Sequence, residues 1–541
     1  MRRRPPEVAV PTVRETTYDL LRAWGLTTVF GNPGSNELPF LDGFPPDFRY
    51  VLGLHEGAVV AMADGYAQAT GRPALVNLHS AAGLGNAMGV LANARASHTP
   101  LVLTAGQQTR AMVGLGSVLA EPAMTRVPEP QVKWAFEPAR AQDVPRALSE
   151  AFHLSVLPPA GPVFVSLPMD DWAEEVAAHE VAHLPGRRVR WAGAAGPELI
   201  AELTDRLRQA ASPALVIGPE ADDERVATLV VELAEQLRAP VWTAPTPPRC
   251  PFPTRHPLWQ GVLPPGIAGV SEHLQGHDLV LVVGAPVFRY HAYRPGPWLP
   301  EGTELIALSG DPGSAARAAF GDAVVCDVAE VVRQLLERLP PPARTWPPSR
   351  ELLSVPQSEE APFTADWLFA QMALRMPADV RLVNESTSNT AQFWAHLNLD
   401  RPRSLFFPAA GALGFGLPAA VGVALADPER PVVAVLGDGA VQYGVAGLWT
   451  AAQWNLPVTF LVLRNGGYGA LRGFVGQLGI TGAPGLDLPG LDAVSIALGY
   501  GIPAQRLTEA EEVAAALAAT TAASGPRLLE IPVCAETRPL G

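Results

Sequence analysis

Lysine is nearly absent: Lys133, in Pro130-Gln-Val-Lys-Trp134, is the only one in 541 residues, and arginine supplies the other basic side chains. Chemistry through a Schiff base needs a reactive amine, so it would hang on this one residue in an undistinguished context. Cysteine is scarce too. Cys250, Cys326 and Cys534 are far apart and form no CxxC pair, which argues against a disulfide framework or a zinc site and suits ordinary buried thiols in a cytoplasmic protein. Positive charge is in deficit: 39 Lys+Arg face 53 Asp+Glu, a formal net charge of −14. The clustered positive surface that nucleic acid requires is therefore not expected. Long apolar runs are missing as well. The uncharged stretch 405–426 comes nearest to a membrane span, but it is rich in glycine and alanine and holds Pro408 and Pro418, so it reads as a buried loop and helix packed on other backbone. The basic start Met1–Arg4 runs into Pro5 and Pro6 with no apolar segment behind it; it reads as a frayed tail, not a secretory signal.

With 48% hydrophobic and 17% charged residues, the chain has the composition of a soluble globular protein, and it is too long for one core. Short apolar runs alternate with longer helix-like segments, the pattern of parallel α/β sheets. Strands are expected at 28–30, 74–78, 100–104 and 162–166, then at 214–217, 241–244, 279–283 and 304–308, and finally at 381–384, 432–436, 458–463 and 528–531. The charged stretch 174–190 reads as a linker, and the Pro-rich stretch 339–363 as extended, hydrated backbone marking a second boundary. Three doubly wound α/β domains follow, over 1–185, 186–345 and 346–541.

The glycine motif Gly83-Leu-Gly85-Asn-Ala-Met-Gly89 follows a strand and opens a helix, but its spacing is GxGxxxG and no acidic residue stands where a ribose would be held. Its glycines are expected to let a helix approach the sheet. Gly411-Ala-Leu-Gly-Phe-Gly416 fails the same test. The informative motif is Gly437-Asp438-Gly439-Ala440 at the end of the strand 432–436, followed after 25 residues, Ala440 to Arg464, by Asn465 at the end of the next strand. Asp438 and Asn465 then offer hard oxygen ligands for a magnesium ion shared with phosphates. The flanking glycines and the following helix N-terminus suit the anion.

This motif resembles the diphosphate anchor of the thiamine-diphosphate-dependent enzymes. The resemblance implies that the backbone carbonyl of Gly467 joins Asp438 and Asn465 around magnesium, with Tyr468 next to it and Gly437, Gly439, Ala440, Thr387 and Ser388 against the diphosphate. In Val51-Leu-Gly-Leu-His-Glu56, a lone carboxylate follows an apolar strand; the resemblance makes Glu56 the residue that activates the aminopyrimidine. It also makes Leu413 the wedge between the cofactor's rings and Gly411 a carbonyl acceptor for the amino group. Four segments, Phe30-Gly-Asn-Pro-Gly-Ser-Asn-Glu-Leu-Pro-Phe40, Asn77-Leu-His-Ser-Ala-Ala82, Thr104-Ala-Gly-Gln-Gln-Thr-Arg110 and Gly284-Ala-Pro-Val-Phe-Arg-Tyr-His291, are similar to the benzoylformate decarboxylase branch of the family.

That branch implies decarboxylation of an aromatic 2-oxo acid, benzoylformate to benzaldehyde and carbon dioxide, in mandelate catabolism. Ser35 would bind substrate, His79 and His291 would move protons, and Val118, Leu119, Phe407, Leu471 and Phe474 would line the pocket with Ser35. Taken singly, each histidine is more often structural; their occurrence together with Ser35, Glu56 and the metal motif reverses that reading. None of the other nine histidines gains such support. The resemblance further implies a homotetramer with active sites shared between subunits, and no nucleic-acid or membrane partner. Three positions depart from the family pattern: Arg464, Ala440 and Gly473, where asparagine, serine and tryptophan are expected. Gly473 leaves substrate size preference open. The rival readings are a carboligase of the acetolactate synthase type, some of which bind a flavin in the middle domain, and a silent thiamine-fold subunit that only binds a partner.

Overall fold

The computed structural model describes residues 10–291, 293–341, 344–351, 353–354, 357–377, 379–522 and 524–535; the basic tail 1–9 lies outside them. Each third of the chain builds one six-stranded parallel sheet. The first holds β1 (Thr28–Gly31), β2 (Arg49–Leu52), β3 (Ala74–Leu78), β4 (Leu101–Gln107), β5 (Ala135–Phe136) and β6 (Val163–Pro168) in the order β2-β1-β3-β4-β6-β5. The second holds β7 (Pro213–Ile217), β8 (Val241–Thr243), β9 (Trp259–Val262), β10 (Leu279–Val283), β11 (Glu304–Ser309) and β12 (Asp322–Val325) in the order β12-β11-β10-β7-β8-β9. The third holds β13 (Arg381–Glu385), β14 (Leu405–Phe406), β15 (Val432–Gly437), β16 (Val458–Arg464), β17 (Ala504–Arg506) and β18 (Arg527–Pro532) in the order β14-β13-β15-β16-β18-β17. Interior strands such as β3, β7 and β10 are buried along their whole length, because helices cover both faces of a parallel sheet and leave no side for polar alternation.

In a doubly wound sheet the chain reverses its direction of growth at one crevice, and ligands bind there, outside the carboxyl ends of the strands. The three orders place that crevice between β1 and β3, between β7 and β10, and between β13 and β15.

The chain divides into two compact units. One comprises residues up to Trp191 together with Ala410–Gly422; the other comprises Ala192–Ala409 and the chain from Val423. Within the first unit, two glycines bring the helices Glu56–Thr70 and Gly416–Ala426 backbone to backbone. A Cβ on Gly422 would stand 1.8 Å from the Met62 carbonyl oxygen, and one on Gly65 would stand 2.3 Å from that of Ala419. This is the use of the Gly/Ala-rich stretch 405–426, and no helix among the described residues is long and apolar enough to cross a membrane.

Two expectations need correction. The stretch 174–190 is not simply a linker: Val176, Val181 and Leu184 are buried in the first core beside Val13 and Trp172, and Val13 N–H donates to the Glu174 carbonyl at 2.8 Å. Its average composition hides three apolar residues that all turn inward. Nor do the glycines of 83–89 serve an approach to the sheet. A Cβ on Gly83 would stand 2.7 Å from Glu56 Oε1, while Gly85 and Gly89 face open space. Lys133 has a structural task, its ammonium donating to the Leu154 and Leu157 carbonyls at 2.6 and 2.7 Å and so closing the end of the helix Val144–Val156.

Candidate active site

At the crevice of the first sheet, the loop leaving β1 meets the chain leaving β3. Asn32 to Glu37 turn back on themselves there. The Glu37 side chain has no exposed surface; its Oε2 accepts from Gly34 N–H at 2.9 Å and lies 2.8 Å from His79 Nδ1. Its Oε1 accepts from the backbone N–H groups of Ser80 at 3.2 Å and Gly106 at 2.8 Å. His79 is the residue before the helix Ser80–Ala96 and keeps about a quarter of its side chain exposed (24%). Gly34 has to be glycine for this: a Cβ would stand 2.1 Å from His79 Nδ1. The Ser35 hydroxyl is exposed beside them, 3.3 Å from Asn36 Oδ1.

Glu56 opens the helix Glu56–Thr70, whose N-terminus is capped by His55 accepting from Gly57 N–H at 3.1 Å. The Glu56 carboxylate is buried between two carboxamides, with Asn32 Nδ2 at 3.4 Å from Oε1 and Asn86 Nδ2 at 3.1 Å from Oε2. The same unit holds Gly411 and Leu413. Their segment is fastened by the buried Asn93, whose Oδ1 accepts from Ala410 and Ala412 N–H at 3.0 and 3.3 Å while its Nδ2 donates to the Ala412 carbonyl at 2.8 Å. Gly411 takes a left-handed φ of 76°. Val118, 82% exposed, and the partly exposed Leu119 lie in the loop after β4.

The second constellation belongs to the other unit, at the ends of β13, β15 and β16. Asp438 is buried as the first residue of the helix Asp438–Gly444. Its Oδ1 accepts from Gly439 N–H and its Oδ2 from Gly466 N–H, each at 2.8 Å, and burial pushes its carboxyl above the ordinary range despite those bonds and the nearby Arg464. Asn465 Oδ1 accepts from Gly467 N–H at 3.1 Å. Thr387 and Ser388 form a single turn after β13, and Ser388 Oγ accepts from Ala470 N–H at 3.0 Å. A Cβ on Gly469 would stand 2.9 Å from Ser388 Oγ and 3.0 Å from Asn465 Nδ2, so the hydroxyl, the carboxamide and the bare backbone converge. Tyr468 N–H donates to the Leu486 carbonyl at 2.9 Å, and its ring faces Gly439, where a Cβ would stand 2.8 Å from Cε1.

A thiamine diphosphate–magnesium pair fits these residues. Asp438 is a desolvated carboxylate that a cation would offset, and the cradle of Gly437, Gly439, Ala440 and Gly469 admits no further side chain at Gly469. Among the described residues no three His, Cys, Asp or Glu side chains cluster as metal ligands; carboxylate, carboxamide and carbonyl oxygens suit a hard ion.

Also in this unit, His291 is exposed and its ring meets Phe474 edge to face, with centroids 5.1 Å apart. Phe474 and the exposed Leu471 belong to the helix Gly469–Gln477, and Phe407 N–H is held by the Pro248 carbonyl at 3.0 Å. Arg464 leans toward the buried Glu530, 3.8 Å away.

The crevice of the second sheet is filled by its own chain. A Cβ on Gly218 would stand 2.2 Å from Ala285 Cβ, and the Glu220 carboxylate accepts from Ser309 Oγ at 2.6 Å and Gly310 N–H at 2.7 Å. Glu37, Asn32, Asn86, Asn93 and Glu220 escape a reading of the sequence. The available hint for Glu37 is its spacing of three from Gly34, which allows the side chain to close its own loop.

Residues 11–131, 200–335 and 385–531 match the thiamine pyrophosphate enzyme N-terminal TPP binding domain, central domain and C-terminal TPP binding domain. A benzoylformate decarboxylase of Pseudomonas aeruginosa is 54% identical over 521 residues, 96% of this chain and 98% of that one. Among solved structures, a thiamine diphosphate-dependent 4-hydroxybenzoylformate decarboxylase of Rhodococcus jostii RHA1 superposes with a TM-score of 0.95 at 50% identity, over 98% of this chain and 100% of that one. Benzoylformate decarboxylase from Polynucleobacter necessarius does so at 0.94 and 38%, over 98% and 99%.

Proposed function

Because this chain belongs to the thiamine pyrophosphate enzyme family, we propose a division of labour between its two polar constellations. The protein is a thiamine diphosphate-dependent decarboxylase of aromatic 2-oxo acids, akin over nearly its full length to benzoylformate decarboxylase. The observation that carries the site assignment is the convergence of Asp438, Asn465, Gly469 and Ser388 at neighbouring strand ends.

Asp438, Asn465 and the Gly467 carbonyl would hold magnesium; Gly437, Gly439, Ala440, Thr387, Ser388 and Tyr468 would seat the diphosphate. When bound, thiamine diphosphate supplies a nucleophilic carbon and an electron sink for the carbanion left by carbon dioxide. Glu56 would exchange a proton with the aminopyrimidine. The Gly411 carbonyl would accept from its amino group, and Leu413 would pack against its rings. Ser35 Oγ binds the substrate carboxylate and ketone, His79 protonates the former ketone oxygen, and His291 protonates the carbon before the aldehyde leaves. Val118, Leu119, Phe407, Leu471 and Phe474 surround the aryl group, with no charge among them.

The same reading covers a cytoplasmic homotetramer in mandelate catabolism, its domains divided near residues 185 and 345 and each active site shared between two subunits. Family membership supports it.

The test is incubation with benzoylformate, thiamine diphosphate and magnesium. Burying a phenyl ring in place of a methyl removes roughly 100 Å² more apolar surface, about 2–3 kcal/mol. Benzaldehyde is therefore expected as product, with kcat/KM at least about tenfold above that for pyruvate. Pyruvate equal to or better than benzoylformate, with acetolactate as product, would overturn the substrate assignment.

A further inference from the structure

We propose that Glu37 is a positioning residue that fixes His79 as the Nδ1–H tautomer and so leaves Nε2 as the nitrogen that exchanges a proton with substrate. The proposal rests on the reading of His79 as an acid–base group. Three of the four contacts on the Glu37 carboxylate are backbone N–H groups, those of Gly34, Ser80 and Gly106, and a backbone N–H can only donate. The fourth contact is His79 Nδ1 at 2.8 Å. A carboxylate whose other partners all donate receives a donor there too, so the imidazole hydrogen lies on Nδ1. Nε2 makes no hydrogen bond among the described residues, and the imidazole is partly exposed while the carboxylate behind it is fully enclosed.

The backbone is shaped around this pair at both ends. A Cβ on Gly34 would stand 2.1 Å from His79 Nδ1, and one on Gly106 would stand 2.4 Å from Glu37 Oε1. Two glycines from separate segments thus make room for a carboxylate and an imidazole that an ordinary loop would not enclose. Glu37 also ties the β1 loop to Ser80 and Gly106, so a purely structural role is the alternative to be tested.

Glu37→Gln separates the two. Its amide has one oxygen for four contacts, so the NH2 must face a donor somewhere. On the Oε1 side it would meet two fixed N–H groups. On the Oε2 side it meets one N–H and an imidazole, and the imidazole alone can adapt, by moving its hydrogen to Nε2. In the serine-protease triad the corresponding acid-to-amide substitution, Asp to Asn behind the histidine, leaves geometry intact but imposes the wrong tautomer, lowering kcat by about 10⁴.

The experiment has two readouts on the holoenzyme. Imidazole ¹⁵N spectra of histidine-labelled protein, with His79→Ala identifying the resonance, should show Nδ1–H in wild type and Nε2–H in Glu37→Gln. Turnover of benzoylformate should fall by about 10²–10⁴ in kcat, with KM and thiamine-diphosphate affinity within about threefold of wild type. An Nε2–H tautomer in wild type, or a Glu37→Gln enzyme keeping kcat within about threefold, would overturn the proposal. So would lower thermal stability with no tautomer change. Should Glu37→Gln fail to fold, the wild-type spectrum decides alone. Wild-type protein inert toward benzoylformate would instead sink the reading of function, and the tautomer assignment would stand.

Discussion

Glu56 is flanked on both oxygens by carboxamide donors, and the helix behind it carries Gly83 where any side chain would collide with the carboxylate. Asn86→Leu removes the donor on Oε2, and the carboxylate is then free to rotate; kcat should fall by about 10-fold or more, with the folded state intact by circular dichroism. Gly34→Ala reports on the other pair. Its Cβ would occupy the place of the His79 ring, so the imidazole must move by an ångström or more. A displacement of that size costs on the order of 10²-fold, and the comparison of kcat with thermal stability checks that the loss is catalytic. At this scale the sequence offered candidates whose chemistry is local: the proposed metal motif around Asp438, and Glu56, Ser35 and His79 in segments with a family resemblance. Glu37 stayed hidden because nothing in Gly34-Ser-Asn-Glu37 says that N–H groups 43 and 69 residues away will enclose that carboxylate.

The twelve strands expected from apolar runs are the interior strands of the three sheets, and all six edge strands, β2, β5, β9, β12, β14 and β17, lie at the margins of what the pattern reveals. Only β2 is legible among them, as the apolar run before Glu56. The reason is physical. An interior strand is covered on both faces and must be apolar throughout, whereas edges such as β12 and β17 are short and largely exposed and need no such composition. The pairing of helices Glu56–Thr70 and Gly416–Ala426 depends on two absent side chains. Gly422→Ala brings a methyl to within 1.8 Å of a carbonyl oxygen on the facing backbone, so the helices must part; a loss of about 1–3 kcal/mol is expected in urea titration. A third element-scale feature concerns the turn after β7, where Asp222 is fully buried near Arg249, Arg403, Asp223 and Cys250. Burial raises its carboxyl to about 7 from an ordinary value of 3.8, the nearby arginines notwithstanding. Between those values the folded chain holds a proton that the unfolded chain has released, so this residue makes stability fall as pH rises from about 4 to about 7. Asp222→Asn keeps an acceptor for Arg403 N–H and should flatten that slope. The thermal midpoint of the variant should exceed that of wild type at pH 8 and converge with it near pH 4.

Of the three crevices set by sheet topology, two carry the polar constellations and the middle one is closed by Glu220 and the Gly218–Ala285 contact. A carboxylate there accepts the hydroxyl and backbone N–H that a nucleotide phosphate would need, so purified protein should be colourless and should not retain added flavin on gel filtration. Asp438→Ala should abolish thiamine-diphosphate binding at micromolar magnesium in calorimetry, because the diphosphate loses its neutralising ion. Mixing Glu56→Gln with Asp438→Ala subunits should restore part of the activity if sites are shared between chains; no recovery despite proven exchange would place each site within one chain. The first compact unit, finally, is assembled from pieces that the ribosome delivers far apart. Trp191 emerges about 230 residues before Gly422, an interval of roughly 10–50 s at the usual pace of synthesis. Throughout it, Asn93 lacks the backbone groups that satisfy it and the Gly65 face of its helix has no helix against it. The nascent N-terminal third is thus an unfinished domain with a defined gap, and chaperone demand should peak there and end when the Ala410–Gly422 segment clears the exit tunnel.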